Sequence, residues 1–211
     1  MELLEDPTRS QEYHYKDVTV DMNFKVVVTL RASTVERWIR DVKRRYLNDT
    51  PMKIVGLDCE FTDAAPEEMQ RAAILQLFMA TDTLVFHICH AYRVPEGLHD
   101  FLMDTTIKFC GAAIHNDQRM LLPYGIQIPS VVDLQRAVQP NPTYPNLRGL
   151  YTLANFTIGT SLDNKKKTME EGEEDRRFGW GNFPLSFFRI MYAARDVRLG
   201  YEIARKCLGA M

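Results

Sequence analysis

Between Lys53 and His90 three apolar segments follow one another, KIVGLDCEF, AAILQLFMA and TLVFHICH, with only short polar stretches between them. They are brief, proline-free and continuously apolar, which suits buried strands better than surface helices. The polar pair Thr81-Asp82 stands where a hairpin turn belongs, so the three read as a meander with KIVGLDCEF as a buried central strand. From about Pro95 the pattern changes to a short helix, strand KFCGAA, helix NDQRMLLPYG and strand VVDL. Such alternation signals parallel strands with helical crossovers. A meander feeding parallel strands predicts an α/β fold, a mixed sheet with helices on its faces.

The flanking regions complete the outline. KDVTVDM and FKVVVTL suggest a first hairpin, and Ser33 then caps a helix running towards Tyr46. Pro140, Pro142 and Pro145 mark a break, after which LRGLYTLANFTIG resumes a helical pattern. The charged stretch DNKKKTMEEGEEDRR reads as a mobile surface loop, and Pro184 opens a final helix, PLSFFRIMYAARDVRLGYEIARKCL. A chain of 211 residues with 45% hydrophobic content fits one domain over 1–211, with its core at about 53–208 and residues 1–50 as an extension.

Charge and cysteine content narrow the possible classes. With 26 Lys+Arg against 28 Asp+Glu the formal net charge is -2, so nucleic-acid binding must come from local basic patches rather than bulk charge. The N-terminus lacks a signal-peptide pattern and no apolar run reaches membrane-spanning length, which leads to the expectation of an intracellular protein of the cytoplasm or nucleus. Cys59, Cys89, Cys110 and Cys207 form no CxxC pair, and three of them lie in apolar runs, arguing against a zinc site or a disulfide framework. His87 and His90 resemble a metal pair, but the apolar FHICH offers no third ligand nearby, so they are read as core or sheet-surface histidines.

Three short segments carry chemistry. In Asp58-Cys59-Glu60 the two acidic residues are two apart on a strand, so both carboxylates share a face and Cys59 turns the other way. Adjacent carboxylates at the end of an apolar strand repel one another, and a hard cation such as Mg²⁺ or Mn²⁺ offsets that cost. In GAAIHNDQRML a strand ends at small residues and Asp117 falls in the first turn of the next helix, a position where aspartate is ordinarily a cap. In YAARDV, Tyr192 and Asp196 are four apart on one helix face.

Together the three segments, VGLDCEF, KFCGAAIHNDQRML and YAARDV, resemble the DEDD exonuclease superfamily in order and spacing. Tyr192 in place of histidine points to its DEDDy branch, with the RNase H-like (DnaQ-like) fold. Within that branch the chain is similar to plant Werner-syndrome-like exonucleases, near those that act on RNA associated with silencing complexes. QRAAILQL, SVVDLQ and LYTLAN fall where the family has comparable segments, so the resemblance runs from about Lys53 to Leu208. It implies a 3′-to-5′ exonuclease with two divalent cations, Mg²⁺ or Mn²⁺. Asp58 would bridge the two, Glu60 and Asp196 would complete the site of one, and Asp117 would support metal or substrate positioning. Tyr192 would orient the attacking water. The implied substrate is single-stranded nucleic acid, RNA in the first place, with a homo-oligomer and a silencing-complex protein as partners by analogy. A DNA-trimming enzyme and a non-catalytic binding module of the same fold are the alternatives.

Around these residues lie candidate substrate contacts. Gln76, with Gln70-Arg71 before it, is assigned to the terminal nucleotide. Arg119, Arg176, Arg177, Arg195 and Lys165, Lys166 and Lys167 are candidates for phosphate contacts, against the alternative of solvated surface charge. Trp180 and Phe183 suit either base stacking or anchoring of the last helix. Asp133 is read as a structural hydrogen-bonding residue and His115 as a satisfied loop residue. Without appended helicase or RNA-binding segments, processivity is expected to come from self-association or partners.

Overall fold

The computed structural model describes residues 11–17, 22–63, 70–139, 147–162 and 179–209. Seven strands form one mixed sheet in the order β1-β2-β5-β4-β3-β6-β7. β1 (Gln11–Asp17) and β2 (Met22–Thr29) form an antiparallel hairpin, and β2 joins β5 (Asp82–Phe86) in parallel. β3 (Ile54–Phe61), β4 (Ala72–Met79) and β5 make the antiparallel meander. β6 (Lys108–Gly111) and β7 (Val131–Asp133) extend the sheet in parallel beyond β3. Every residue of β4 and β5 is buried, as befits strands covered on both faces.

Alternation along the strands divides the molecule into two layers of contacts. Leu57 and Cys59 of β3 enter the larger core together with Trp38 and Ile39 of α1 (Ala32–Val42) and Phe101 of α2 (Glu96–Met103). α3 (Ile114–Leu121) adds Ile114 and Leu121 to the same core. On the opposite face Ile74 and Val85 meet Ile190, Ala193 and Ala194 of the long helix α6 (Phe187–Gly209). The short α4 (Leu134–Ala137) and α5 (Leu150–Ile158) also pack against α6. No helix among the described residues is long and apolar enough to cross a membrane.

Several boundaries differ from the sequence reading. The first strand occupies QEYHYKD, earlier than KDVTVDM, and residues 18–21 lie outside the described set. Residues 11–17 pair antiparallel with β2 at the edge of the sheet, where a strand tolerates a more polar sequence. Ser33 sits inside α1, whose N-cap is Arg31; the Arg31 N–H donates to Thr29 Oγ1 at 3.0 Å at the end of β2. The regular α-helix stops at Val42, and Lys43–Leu47 continue as a π-helical turn. The β4–β5 turn is Ala80-Thr81 with Ala80 at φ 56, because Asp82 already pairs with Met79. Asp82 is held there by the Arg45 guanidinium at 3.0 Å and the Tyr46 hydroxyl at 2.8 Å. The last helix begins three residues after Pro184, and Ser186 caps it by accepting the Arg189 N–H at 3.3 Å. DNKKKTMEEGEEDRR lies outside the described residues.

Candidate active site

A missing side chain sets the distance between β3 and α6. A Cβ on Gly56 would lie 2.5 Å from the Val197 carbonyl oxygen and 3.1 Å from Tyr201 Cβ, so only glycine allows the helix to lie this close. Asp58 and Glu60 follow Gly56 at two-residue intervals on the same face, and Asp196 immediately precedes Val197. The close approach therefore brings three carboxylates together from segments far apart in sequence. Each of Asp58, Glu60 and Asp196 offers an oxygen within 4.8 Å of the other two. Asp196 is 1% exposed, whereas Asp58 and Glu60 are half-buried, so the cluster has a covered side and an open side.

A cleft of about 140 Å³ lies beside Asp58 and Asp196, lined also by Gly111, Ala112, Gln135 and Arg148. Like charges at this spacing repel, and an oxygen-only donor set suits a hard divalent cation of the Mg²⁺ or Mn²⁺ type. The negative field is felt by Cys59. Its thiol is pushed well above its ordinary pKa by burial first, then by the charges of Asp117, Asp58 and Glu60.

Asp117 reaches this region from α3. It lies in the first turn of that helix and is 4% exposed, but it is not one of the three mutually close carboxylates. Ala113 precedes α3 in the left-handed region at φ 58, a conformation unusual for alanine. Its N–H donates to Asp133 Oδ1 at 3.1 Å, and the same oxygen accepts the Gln135 N–H at 3.0 Å. Asp133 thus holds the β6–α3 turn and caps α4, the structural role read from the sequence. Through that turn it fixes where α3 begins.

Tyr192 lies one turn before Asp196 on α6 and is 2% exposed. Its ring centroid is 5.7 Å from that of Trp180, and the Arg189 guanidinium lies 4.7 Å from the Trp180 centroid. Trp180 is therefore packed on the last helix. Phe183 is exposed at the surface and tilts against His87 and His90 at 5.4 and 5.9 Å.

The other nominated residues scatter. Gln76 pairs with Asp58 across β3 and β4 but is 0% exposed, and its amide has no hydrogen-bond partner among the described residues. A direct contact with a terminal nucleotide has no surface to act through here. Gln70 is exposed and donates to the Thr62 carbonyl at 3.1 Å, tying the two strand ends together. Arg119 is exposed, donates to Asn116 Oδ1 at 3.3 Å and lines another cavity, about 450 Å³, with His115, Gln118 and Ile126. His115 pairs with Gln118 Oε1 at 2.8 Å through Nδ1 on α3 itself rather than in a loop. Arg195 is half-buried beside Asp196, while Lys165, Lys166, Lys167, Arg176 and Arg177 lie outside the described residues.

Two cleft residues were not singled out in the sequence. Arg148 and Gln135 border the carboxylates, and Gln135 Nε2 donates to the Arg148 carbonyl at 2.7 Å. A lone arginine after a proline-rich break and a glutamine in a four-residue helix carry no spacing signal. The FHICH segment also departs from the sequence reading. β5 stops at Phe86 and Ile88–His90 form a 3₁₀ turn, which brings Cys89 to the two histidines as the third donor.

Comparison with known proteins agrees with this geometry. Residues 30–208 match the 3′-5′ exonuclease family. The mouse bifunctional 3′-5′ exonuclease/ATP-dependent helicase WRN is 28% identical over 184 residues, 86% of this chain and 12% of that protein. The Drosophila melanogaster exonuclease 3′-5′ domain-containing protein 2 is 25% identical over 156 residues, 73% of this chain and 25% of that protein. The chain thus spans a quarter or less of the length of these curated relatives. Among solved structures, Escherichia coli RNase D superposes with a TM-score of 0.68 at 19% identity, covering 89% of this chain and 45% of that one. Trypanosoma brucei RNase D in complex with RNA U12 gives 0.68 at 16% identity, covering 87% and 62%. These likenesses establish the RNase H-like, DnaQ-type fold, and the match over residues 30–208 establishes that the chain belongs to the 3′-5′ exonuclease family.

Proposed function

We propose that this chain is a metal-dependent exonuclease that hydrolyses single-stranded RNA from the 3′ end and releases nucleoside 5′-monophosphates. The observation that carries the reading is the convergence of Asp58, Glu60 and Asp196 within 4.8 Å, two of them, Asp58 and Asp196, lining a cleft. Their oxygens fit Mg²⁺ or Mn²⁺: Asp58, Glu60 and Asp196 would hold the cations, and Asp117 would support metal or substrate positioning. When bound, two such cations supply charge neutralisation at the scissile phosphate and a more acidic water.

The protein's own groups do the rest. Asp196, buried on α6, and Asp58, on β3, are held by packing that Gly56 permits, so the donors are preorganised rather than gathered on binding. Tyr192, one helical turn before Asp196 on α6, would orient the attacking water and take no part in ligation. Arg148, at the cleft wall, would offer a cation to a backbone phosphate. Lys165 to Lys167, Arg119 and Arg195 would add backbone contacts that read no sequence. RNA is favoured over DNA by the fold likeness to the trypanosomal RNase D solved with RNA U12. Self-association and a silencing-complex partner rest on the resemblance to the plant enzymes.

A single assay tests the reading. 5′-labelled RNA and DNA strands, open, 3′-blocked or circular, are incubated with Mg²⁺, Mn²⁺ or chelator. The expected result is a ladder shortening from the 3′ end of open RNA only, abolished by chelator. Preferred digestion of DNA would favour the trimming alternative, binding without cleavage the non-catalytic one, and cleavage of circles would show an endonuclease.

A further inference from the structure

Away from the carboxylates, His87, Cys89 and His90 form a group of different chemistry. β5 ends at Phe86 and Ile88–His90 turn as a 3₁₀ helix, in which positions three apart eclipse one another. The rings of His87 and His90 consequently meet edge to face with centroids 4.8 Å apart. The Cys89 sulphur and one ring nitrogen of each histidine lie within 4.8 Å of one another.

Both histidines are oriented by the turn Gly179–Gly181. His87 Nε2 faces the Trp180 carbonyl oxygen at 3.4 Å, and His90 Nε2 faces that of Gly181 at 2.7 Å. A carbonyl oxygen only accepts, so each Nε2 carries the proton and each Nδ1 keeps a bare lone pair. His87 is 1% exposed, and its Nδ1 has no hydrogen-bond partner among the described residues. A buried acceptor left without a partner is costly, and a backbone-held Nε2–H with an open Nδ1 is the arrangement found behind metal-bound imidazoles. Burial first, then the neighbouring His90, lowers the His87 pKa to about 4, which keeps its ring neutral at pH 7.

We propose that His87, Cys89 and His90 form a zinc site that pins the Gly179–Gly181 turn to the end of β5. Two nitrogens and a sulphur select a borderline cation over Mg²⁺ or Mn²⁺. Zinc–ligand bonds of about 2.0–2.3 Å place tetrahedral donors roughly 3.3–3.8 Å apart, so the group closes by about 1 Å, a movement the exposed His90 can make. Water completes the coordination. The turn so fixed carries Trp180, whose ring tilts against Tyr192, and the site stands whether or not the carboxylate cluster is catalytic.

The test uses the full chain stripped with chelator and titrated with Co²⁺. One equivalent should produce a thiolate-to-cobalt absorption band that Zn²⁺ abolishes, and Zn²⁺ should raise the Tm by several degrees. The band and the Tm shift should both be lost in Cys89→Ser and His90→Ala, which alter half-buried and exposed positions and whose folding is checked by circular dichroism. They should persist in Cys207→Ser, and also in Asp58→Asn, which separates this site from the carboxylates. No band in several-fold excess Co²⁺, or a band that survives Cys89→Ser, overturns the site. Zinc that binds without changing the Tm overturns the pinning.

Discussion

The carboxylate cluster and the histidine–cysteine cluster lie on the same fold but are built in opposite ways. Asp58, Glu60 and Asp196 come from two elements remote in sequence, and they meet because Gly56 lets α6 rest on β3. His87, Cys89 and His90 come from four consecutive residues, and they meet because a strand gives way to a 3₁₀ turn. The first depends on tertiary packing and presents oxygen to a cleft. The second depends on local backbone geometry and presents nitrogen and sulphur at the foot of a turn. A long-range cluster should fail when packing is disturbed, and a local one should survive.

The largest effect that tests this contrast is on the carboxylates. Asp58→Asn or Asp196→Asn should remove RNA cleavage altogether, a greater loss than the roughly 10–100-fold seen when only an outer-shell partner is removed. The Tm should hold or rise as like-charge repulsion is relieved. Substantial Mg²⁺-dependent turnover in either variant would show that these groups are not ligands.

Tyr192→Phe comes next. The ring and its packing on Trp180 remain, so the loss should fall on kcat by about 10²–10⁴-fold, the usual range for a positioned proton-handling group. RNA affinity measured by calorimetry in Ca²⁺ should be unchanged. Full kcat would pass the orienting role to another group.

Gly56→Ala breaks the comparison itself. The added methyl must displace α6 from β3, at a cost of about 1–3 kcal/mol, and the Tm should fall accordingly. Activity should drop with it, while the cobalt–thiolate band at Cys89 should persist. Loss of both signals together would mean that the two clusters are not independent.

These expectations reflect what the sequence made legible. The meander and the parallel extension followed from apolar runs and alternation, and the carboxylates from a motif spread over distant segments. Gly56 gave no such signal, since a glycine in a strand announces close approach only once the helix above it is known. Helix starts were misplaced because Ser33 and Pro184 are good starters in isolation, whereas the end of β2 and the Ser186 hydroxyl decide the boundaries. Cys89 was passed over as a third ligand because FHICH read as an apolar strand, whereas the chain leaves β5 at Phe86 and turns as a 3₁₀ helix. Arg148 and Gln135 had no pattern to betray them.

The smallest effects concern the cleft rim and the cationic run. Arg148→Ala should raise KM a few-fold with kcat spared, the outcome expected of a residue that binds the strand and not the reacting group. Replacing Lys165, Lys166 and Lys167 with alanine should raise KM and flatten its salt dependence, again sparing kcat. Kinetics unchanged at low salt would leave either group as solvated surface charge.

The central claim is that Asp58, Glu60 and Asp196 hold the catalytic cations, and anomalous diffraction from crystals soaked in Mn²⁺ tests it most directly. The account predicts one anomalous peak ligated by all three carboxylates and a second sharing Asp58. Crystals saturated with Mn²⁺ that show no peak among these carboxylates would contradict it.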